Sequence, residues 1–198
     1  MKNSSKNNPV QSENPHPEHQ KLLKVRQKAE RLLLEGRYAE SIDLLNSILS
    51  FGDARNLKGV CQLRMGAFES AVQNYRPLVL DSRTSMVHAG VPDIHITNFA
   101  TALLLSGRPE GCLEILASVH APDSPLVIQL HEAIRQWSKT LGWWDWFNWK
   151  VGKMSPSHCV VPVTFLPGTY ESQLPLILDT DTAAIQSAHD SACRKTAI

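Results

Sequence analysis

Apolar and polar positions alternate with a helical period over most of this chain. Leu22, Val25, Ala29 and Leu32 recur at intervals of three and four, which places them on one face of a helix. Gly36 interrupts the pattern, and a second stripe then begins with Tyr38, Ile42, Leu45 and Leu49. The spacing predicts two amphipathic helices folded back on each other by a short turn. A second pair follows, with Leu57, Val60 and Cys61 before Gly66 and Phe68, Val72, Tyr75 and Val79 after it. A third carries Ile96, Phe99, Ala100 and Leu103, then Gly107, then Leu113, Leu116 and Val119. Asp53 and Asp93 stand where they would cap the second and third pairs. Pro109 stands at a first-turn position, where a missing N–H costs nothing.

The three glycines fall at the same point, the end of the first helix of each pair. A glycine there accepts the left-handed conformation of a C-terminal cap, which would strain any other residue. A unit repeated three times predicts a stack of helix pairs, with Asn56 to Leu80 as its most regular copy. Its spacing is uneven, thirty residues from Gly36 to Gly66 and forty-one from Gly66 to Gly107. The first gap implies a tight turn around Ser50 to Asp53, and the second an extra loop from Ser82 to Pro92.

Past the third pair, Ser124 and Pro125 read as an N-cap followed by proline at the first helical position. They open a helix with Leu126, Leu130, Ala133, Ile134, Trp137 and Leu141 on one face, suited to close the stack. Gly142 breaks it. Trp143 to Met154 together with Trp137 then holds all five tryptophans. Val160, Val161, Val163 and Phe165 favour extended backbone, while Pro162 and Pro167 restrict them to an edge strand or an open segment. The organisation read from these patterns is a disordered lead-in over 1–19, a helical repeat domain over 20–141, and a Trp-rich short helix with a partly disordered tail over 142–198.

The turn phrases G-R-Y-A-E-S at Gly36, G-A-F-E-S-A at Gly66 and G-R-P-E-G-C at Gly107 resemble the inter-helix turn of the tetratricopeptide repeat (TPR). Gly59 and Ala100 match its small residue in the first helix, and Ala71, Ser41 and Cys112 its small residue in the second. Tyr38 and Phe68 match the aromatic that packs between the helices, and Tyr75 the later large residue. The resemblance covers Leu22 to Val119, and Pro109 departs from it where an aromatic is the rule. It implies an all-α, right-handed solenoid of three helix-turn-helix repeats plus a closing helix, with a Trp-rich helix and an extended C-terminal tail beyond.

What the resemblance implies about function is a protein interaction scaffold: an adaptor, assembly factor or chaperone holding an extended peptide or a helix of another protein in a concave groove. The groove positions are Arg26, Glu30 and Leu33 in the first copy, Asn56, Val60, Leu63 and Arg64 in the second, and Thr97, Thr101 and Leu104 in the third. The subclass that clamps a C-terminal carboxylate is disfavoured, because Glu30, Leu57, Ile94 and Asn98 stand at four of its five positions and Arg26 alone fits.

Charge and candidate chemistry change this picture little. With 20 basic and 19 acidic residues the net charge is +1, so no long-range field points to nucleic acid. Four scattered cysteines without a C-x-x-C pair fit free thiols in a reducing compartment. No stretch approaches the roughly 18 apolar residues of a membrane span, and a cytoplasmic protein is expected. His88, Asp93 and His95 carry ligand-type side chains without a recognised metal spacing. His158 and Cys159 are adjacent in an extended segment, where side chains point to opposite sides. No catalytic, cofactor or metal residues are therefore assigned, and an enzyme is not expected.

Two stretches outside the repeats remain open. Trp143, Trp144, Trp146, Phe147 and Trp149 read first as a hydrophobic plug over the last repeat and second as an interaction surface. In the rival functional readings, that helix docks a membrane-peripheral factor, or the chain is an accessory subunit of an enzyme complex. The segment Cys159 to Leu166 has the length and character of a groove ligand. It is expected to fold back onto the chain's own groove, to self-associate through that of a second copy, or to drape over the Trp-rich helix.

Overall fold

The computed structural model describes residues 17–156 and 159–171, and among them the secondary structure is entirely helical apart from one isolated bridge between Leu80 and Val87. The expected disorder over 1–19 lies outside the described residues except at 17–19, where it is corrected because the first helix begins at Pro17, and the end of the tail lies outside them as well. The helices are α1 (Pro17–Leu34), α2 (Tyr38–Leu45), α3 (Gly52–Arg64), α4 (Phe68–Val79), α5 (Asp93–Leu105), α6 (Pro109–Leu116), α7 (Pro125–Lys139) and α8 (Trp143–Gly152). From α1 to α6 each helix packs against the next, while α3 also touches α1 and α5, and α5 touches α7. The odd-numbered helices α1, α3, α5 and α7 therefore stand side by side in one row.

The turn inside each pair is the same structure three times. At Gly36, φ is 75°, the glycine N–H donates to the Leu33 carbonyl at 3.1 Å and the Arg37 N–H to the Leu32 carbonyl at 2.8 Å. Gly66 and Ala67 repeat these bonds to Leu63 and Gln62 at 3.1 and 2.9 Å, and Gly107 and Arg108 repeat them to Leu104 and Leu103 at 3.1 and 2.9 Å. This paired capping satisfies carbonyls that a helix end leaves without partners. It also fixes the direction in which the next helix returns. Where the paired helices touch, the residues are small and sealed from solvent: Ala29 and Ser41, Gly59 and Ala71, Ala100 and Cys112.

Several local expectations need correction. Neither Asp53 nor Asp93 caps its helix through its side chain; the cap positions are Phe51 and Pro92, both with extended ψ. Both carboxylates have other partners. Asp93 accepts the backbone N–H groups of His120 and Ala121 at 3.1 and 2.9 Å and meets the His120 ring at 2.8 Å, which ties the start of α5 to the loop after α6. After α2 the chain tightens into a 3-10 turn at Asn46–Ile48, and the tighter winding buries Ile48 where the helical period points to Leu49.

The plug reading of the Trp-rich helix also fails in most of its residues. Only Trp149 enters the core, meeting Trp137 of α7 edge to face with ring centroids 5.2 Å apart. Trp143, Trp144, Trp146 and Phe147 are exposed. The helical period shows why. Trp149 lies almost opposite the Trp143, Phe147 and Val151 stripe, so a helix seated on α7 through Trp149 turns that stripe to solvent.

Candidate functional site

α5 poses the structural problem that defines the site. Every residue from Ile94 to Leu104 is buried, so this helix is enclosed on all sides. α3, α4, α6 and α7 account for most of its circumference. The remaining face, in the row of odd-numbered helices, is covered by the chain's own segment 159–171. From Cys159 to Tyr170 this segment belongs to neither a helix nor a sheet, and it crosses the row from α7 to α1.

Its path is set by a succession of contacts. At Gly107, a Cβ would lie 2.7 Å from the Cys159 carbonyl oxygen, so this glycine both caps α5 and lets the segment approach; Gly36 and Gly66 face open space. Val161 joins the buried cluster that holds Trp137 and Trp149. Phe165 and Leu166 line a narrow cleft with Leu126 and Leu130 of α7 and Thr97 and Thr101 of α5. Gly168 then lies against α3. With φ at 80°, its Cβ position is 3.1 Å from Val60 Cγ1, 3.2 Å from Leu63 Cδ1 and 3.2 Å from the Val60 Cα, so a side chain there would be both strained and overpacked.

Thr169 is gripped through its backbone. Its N–H donates to Asn98 Oδ1 at 2.9 Å, and its carbonyl accepts from Asn98 Nδ2 at 2.6 Å. One side-chain amide thus pairs with the peptide as a neighbouring strand would, without reading its sequence. The same Nδ2 donates to Asn56 Oδ1 at 2.9 Å, and the Tyr75 hydroxyl lies 3.0 Å from the Asn56 carbonyl and 3.2 Å from Asn56 Oδ1. Tyr75, Asn56, Asn98 and Thr169 are all buried. This chain of bonds holds the Asn98 amide in the orientation that the peptide needs.

Two arginines complete the site. Arg64 donates from Nη2 to the Gly168 carbonyl at 3.1 Å and from Nε to the Pro167 carbonyl at 3.4 Å, and its guanidinium lies 5.9 Å from the centre of the Tyr170 ring. Tyr170 is buried in the cluster that contains Ala29, Leu33, Leu57 and Val60. At the far end Arg26 bridges Glu30 at 2.9 Å, Asp53 at 3.0 Å and Glu171 at 3.1 Å. His95 is buried nearby, and burial lowers its pKa against the opposing pull of Asp53 and Glu171, so it is neutral at pH 7.

Of the groove positions predicted from sequence, Arg26, Arg64, Val60 and Leu63 touch the segment directly, and Thr97 and Thr101 line its cleft. Both threonine hydroxyls bond backbone carbonyls one turn earlier, those of Asp93 and Thr97. Asn56 acts through Asn98, and Glu30 through Arg26. Leu33 shares its buried cluster with Tyr170, whereas Leu104 is packed inside the helical body. In the sequence Asn98 stands out only as a misfit to the carboxylate clamp, yet it is the principal contact to the peptide backbone. An asparagine in the middle of DIHITNFATALLL, a helix apolar enough to be buried, is a usable signal, because a buried amide needs partners.

The other chemical candidates do not assemble. Among the described residues no three His, Cys, Asp or Glu side chains come together as a metal site. Asp93 is engaged by His120, and the carboxylates that act on His95 are Asp53 and Glu171. His158 lies outside the described residues. Burial pushes the Cys112 thiol up to about 12, burial and Glu110 push Cys159 up to about 11, and burial also raises Cys61, so all three are protonated at neutral pH. No described helix is long and apolar enough to cross a membrane.

Comparison with protein-family models, with curated proteins and with solved structures finds no match to this chain.

Proposed function

We propose that the chain is a TPR-like solenoid whose row of odd-numbered helices forms a concave groove for an extended peptide of another protein, and that it serves as an interaction scaffold. The observation that carries this reading is the Asn98 amide paired with both backbone groups of Thr169. The three identical glycine turns and the small residues at the helix contacts support the repeat assignment. A groove that grips a main chain through a buried side-chain amide is suited to a partner's segment as well as to its own.

The test uses the full chain as bait for proteins of its native cell. A Gly168→Val substitution is expected to exclude the chain's own segment and raise partner recovery several-fold over wild type. Adding Asn98→Ala to that bait is expected to abolish the gain. Identical recovery from all three baits would rule the peptide groove out.

A second reading rests on α8. Trp143, Trp144 and Val151 are 73%, 62% and 70% exposed, and Phe147 stacks against both indoles with centroids 6.3 and 6.1 Å away, the indoles themselves being 5.6 Å apart. Lys150 on the same helix and Lys139 at the end of α7 are exposed, and Lys153 at the C-terminal cap of α8 is exposed and reaches over the Trp149 ring. Aromatic rings flanked by lysines are the composition of a helix that lies in a membrane interface. On this reading the protein is membrane-peripheral. It is expected to co-sediment with vesicles of phosphatidylcholine and phosphatidylserine, and the triple substitution Trp143→Ser, Trp144→Ser, Phe147→Ser to remain in the supernatant. A wild-type chain that stays in solution with the vesicles ends this reading.

A further inference from the structure

The segment in the groove carries more information than its presence, because each of its last four described residues meets a different kind of contact. Gly168 lies where a Cβ would be within 3.2 Å of the Val60 backbone, so the groove admits no side chain at this point. Thr169 is held by its main chain and is itself buried, which limits the residue there to a small one. Tyr170 is buried in the cluster that holds Leu33 and Val60, and the Arg64 guanidinium lies over its ring. Glu171 places a carboxylate on Arg26. These are a steric exclusion, a backbone clamp, an aromatic pocket and a cation, in fixed order along one stretch of chain.

We infer that the groove is selective for peptides of the form glycine, small residue, aromatic, acidic residue, and that Gly168 to Glu171 is this chain's own copy of that ligand. The inference rests on the peptide-groove reading and specifies its partner class. The segment has the attributes of a ligand rather than of a structural element. Through Tyr170 it contributes no helix or strand, no helix hydrogen bond depends on it, and it follows exposed residues at Lys153 and Met154 from which it can depart without unwinding α8. The Arg26 and Glu171 pair at its end remains 27% and 46% exposed, so the last contact stays accessible to a competing carboxylate.

A fluorescein-labelled peptide of sequence Phe165 to Glu171 is titrated by anisotropy into the full chain carrying Gly168→Val, with circular dichroism as the folding control. It is expected to bind at least about tenfold more tightly than to wild type, where the resident segment competes. Peptide analogues carrying Gly168→Ala, Tyr170→Ala or Glu171→Lys are each expected to lose about tenfold. If all the analogues bind like the parent, the sequence preference is overturned while the groove stands as a general peptide binder. If neither parent nor analogue binds the folded variant, both readings fall.

Should Gly168→Val not fold, amide hydrogen exchange of the wild type decides between a ligand and a fixed element. The Thr169 amide is expected to exchange through a local opening, faster than the amides at the centre of α5, and faster again with excess unlabelled peptide. Exchange of Thr169 only at the rate of global unfolding, unaltered by peptide, would make the segment a fixed part of the core and overturn the inference.

Discussion

Shortening Tyr75 to alanine is expected to destabilise the protein by about 3–5 kcal/mol, read as a lower urea midpoint and a fall in Tm of roughly 10 °C or more. The ring is fully buried between α3 and α5, and its hydroxyl is bonded to Asn56, so its loss leaves both a cavity and a weakened polar chain. The position has a counterpart in each pair, Leu45 in the first and Leu116 in the third, both also buried. The second copy alone carries an aromatic here, and it alone carries glycine on the opposing helix. A Cβ at Gly59 would lie 2.3 Å from Tyr75 Cζ, whereas Ala29 and Ala100 occupy the same place in the other copies.

The pair therefore makes a prediction with a sign reversal. Gly59→Ala alone is expected to destabilise by about 1–3 kcal/mol through overpacking against a ring that has nowhere to move. In a Tyr75→Leu background the same change is expected to be neutral or to stabilise by up to about 1 kcal/mol, because alanine is the better helix former once the ring is gone. Urea unfolding of the four proteins measures the coupling. Additive effects would mean that the two residues do not share the space the structure gives them.

Much of the helical body is legible in the sequence because its rules are local. A glycine at a helix end, small residues where helices cross and a stripe at intervals of three and four follow from backbone geometry, and Gly36, Gly66 and Gly107 behave accordingly. The site is legible only in part. Arg26, Arg64, Val60 and Leu63 follow from which face of each first helix points into the groove. Gly168, Thr169 and Tyr170 do not, because a segment without regular structure has no period from which its contacts could be inferred. The groove ligand expected from sequence stops at Leu166, where the apolar run ends, yet the strongest contacts lie just beyond it and are made by backbone atoms. The exposure of Trp143 and Trp144 is hidden for a related reason. A helical wheel tells which residues share a face but not which face a neighbour will cover.

The second large effect is expected at Asn98. Asn98→Leu keeps the branched outline of the side chain, at a larger size, but removes both bonds to Thr169 and the one to Asn56. Each buried polar group left without a partner costs about 1–3 kcal/mol, so closure is weakened and Thr169 more often returns its backbone groups to water with the segment out of the groove. Chymotrypsin cleavage after Tyr170, which is 4% exposed when bound, is expected to accelerate about tenfold or more with the far-UV spectrum unchanged.

Asn98→Asp separates polarity from shape. A carboxylate there still accepts the Thr169 N–H but turns acceptor against acceptor at the Thr169 carbonyl and at Asn56 Oδ1. Only the protonated acid restores a donor, so the carboxyl pKa in the closed state must be raised above its open-state value. Closure is then favoured at low pH and lost as the pH rises through that raised pKa. Cleavage of Asn98→Asp is therefore expected to be slower than that of Asn98→Leu near pH 5 and to approach it at pH 7 and above, the ratio cancelling the protease's own pH dependence. A ratio that does not change with pH would show that the side chain at 98 holds Thr169 by shape and not by its donor.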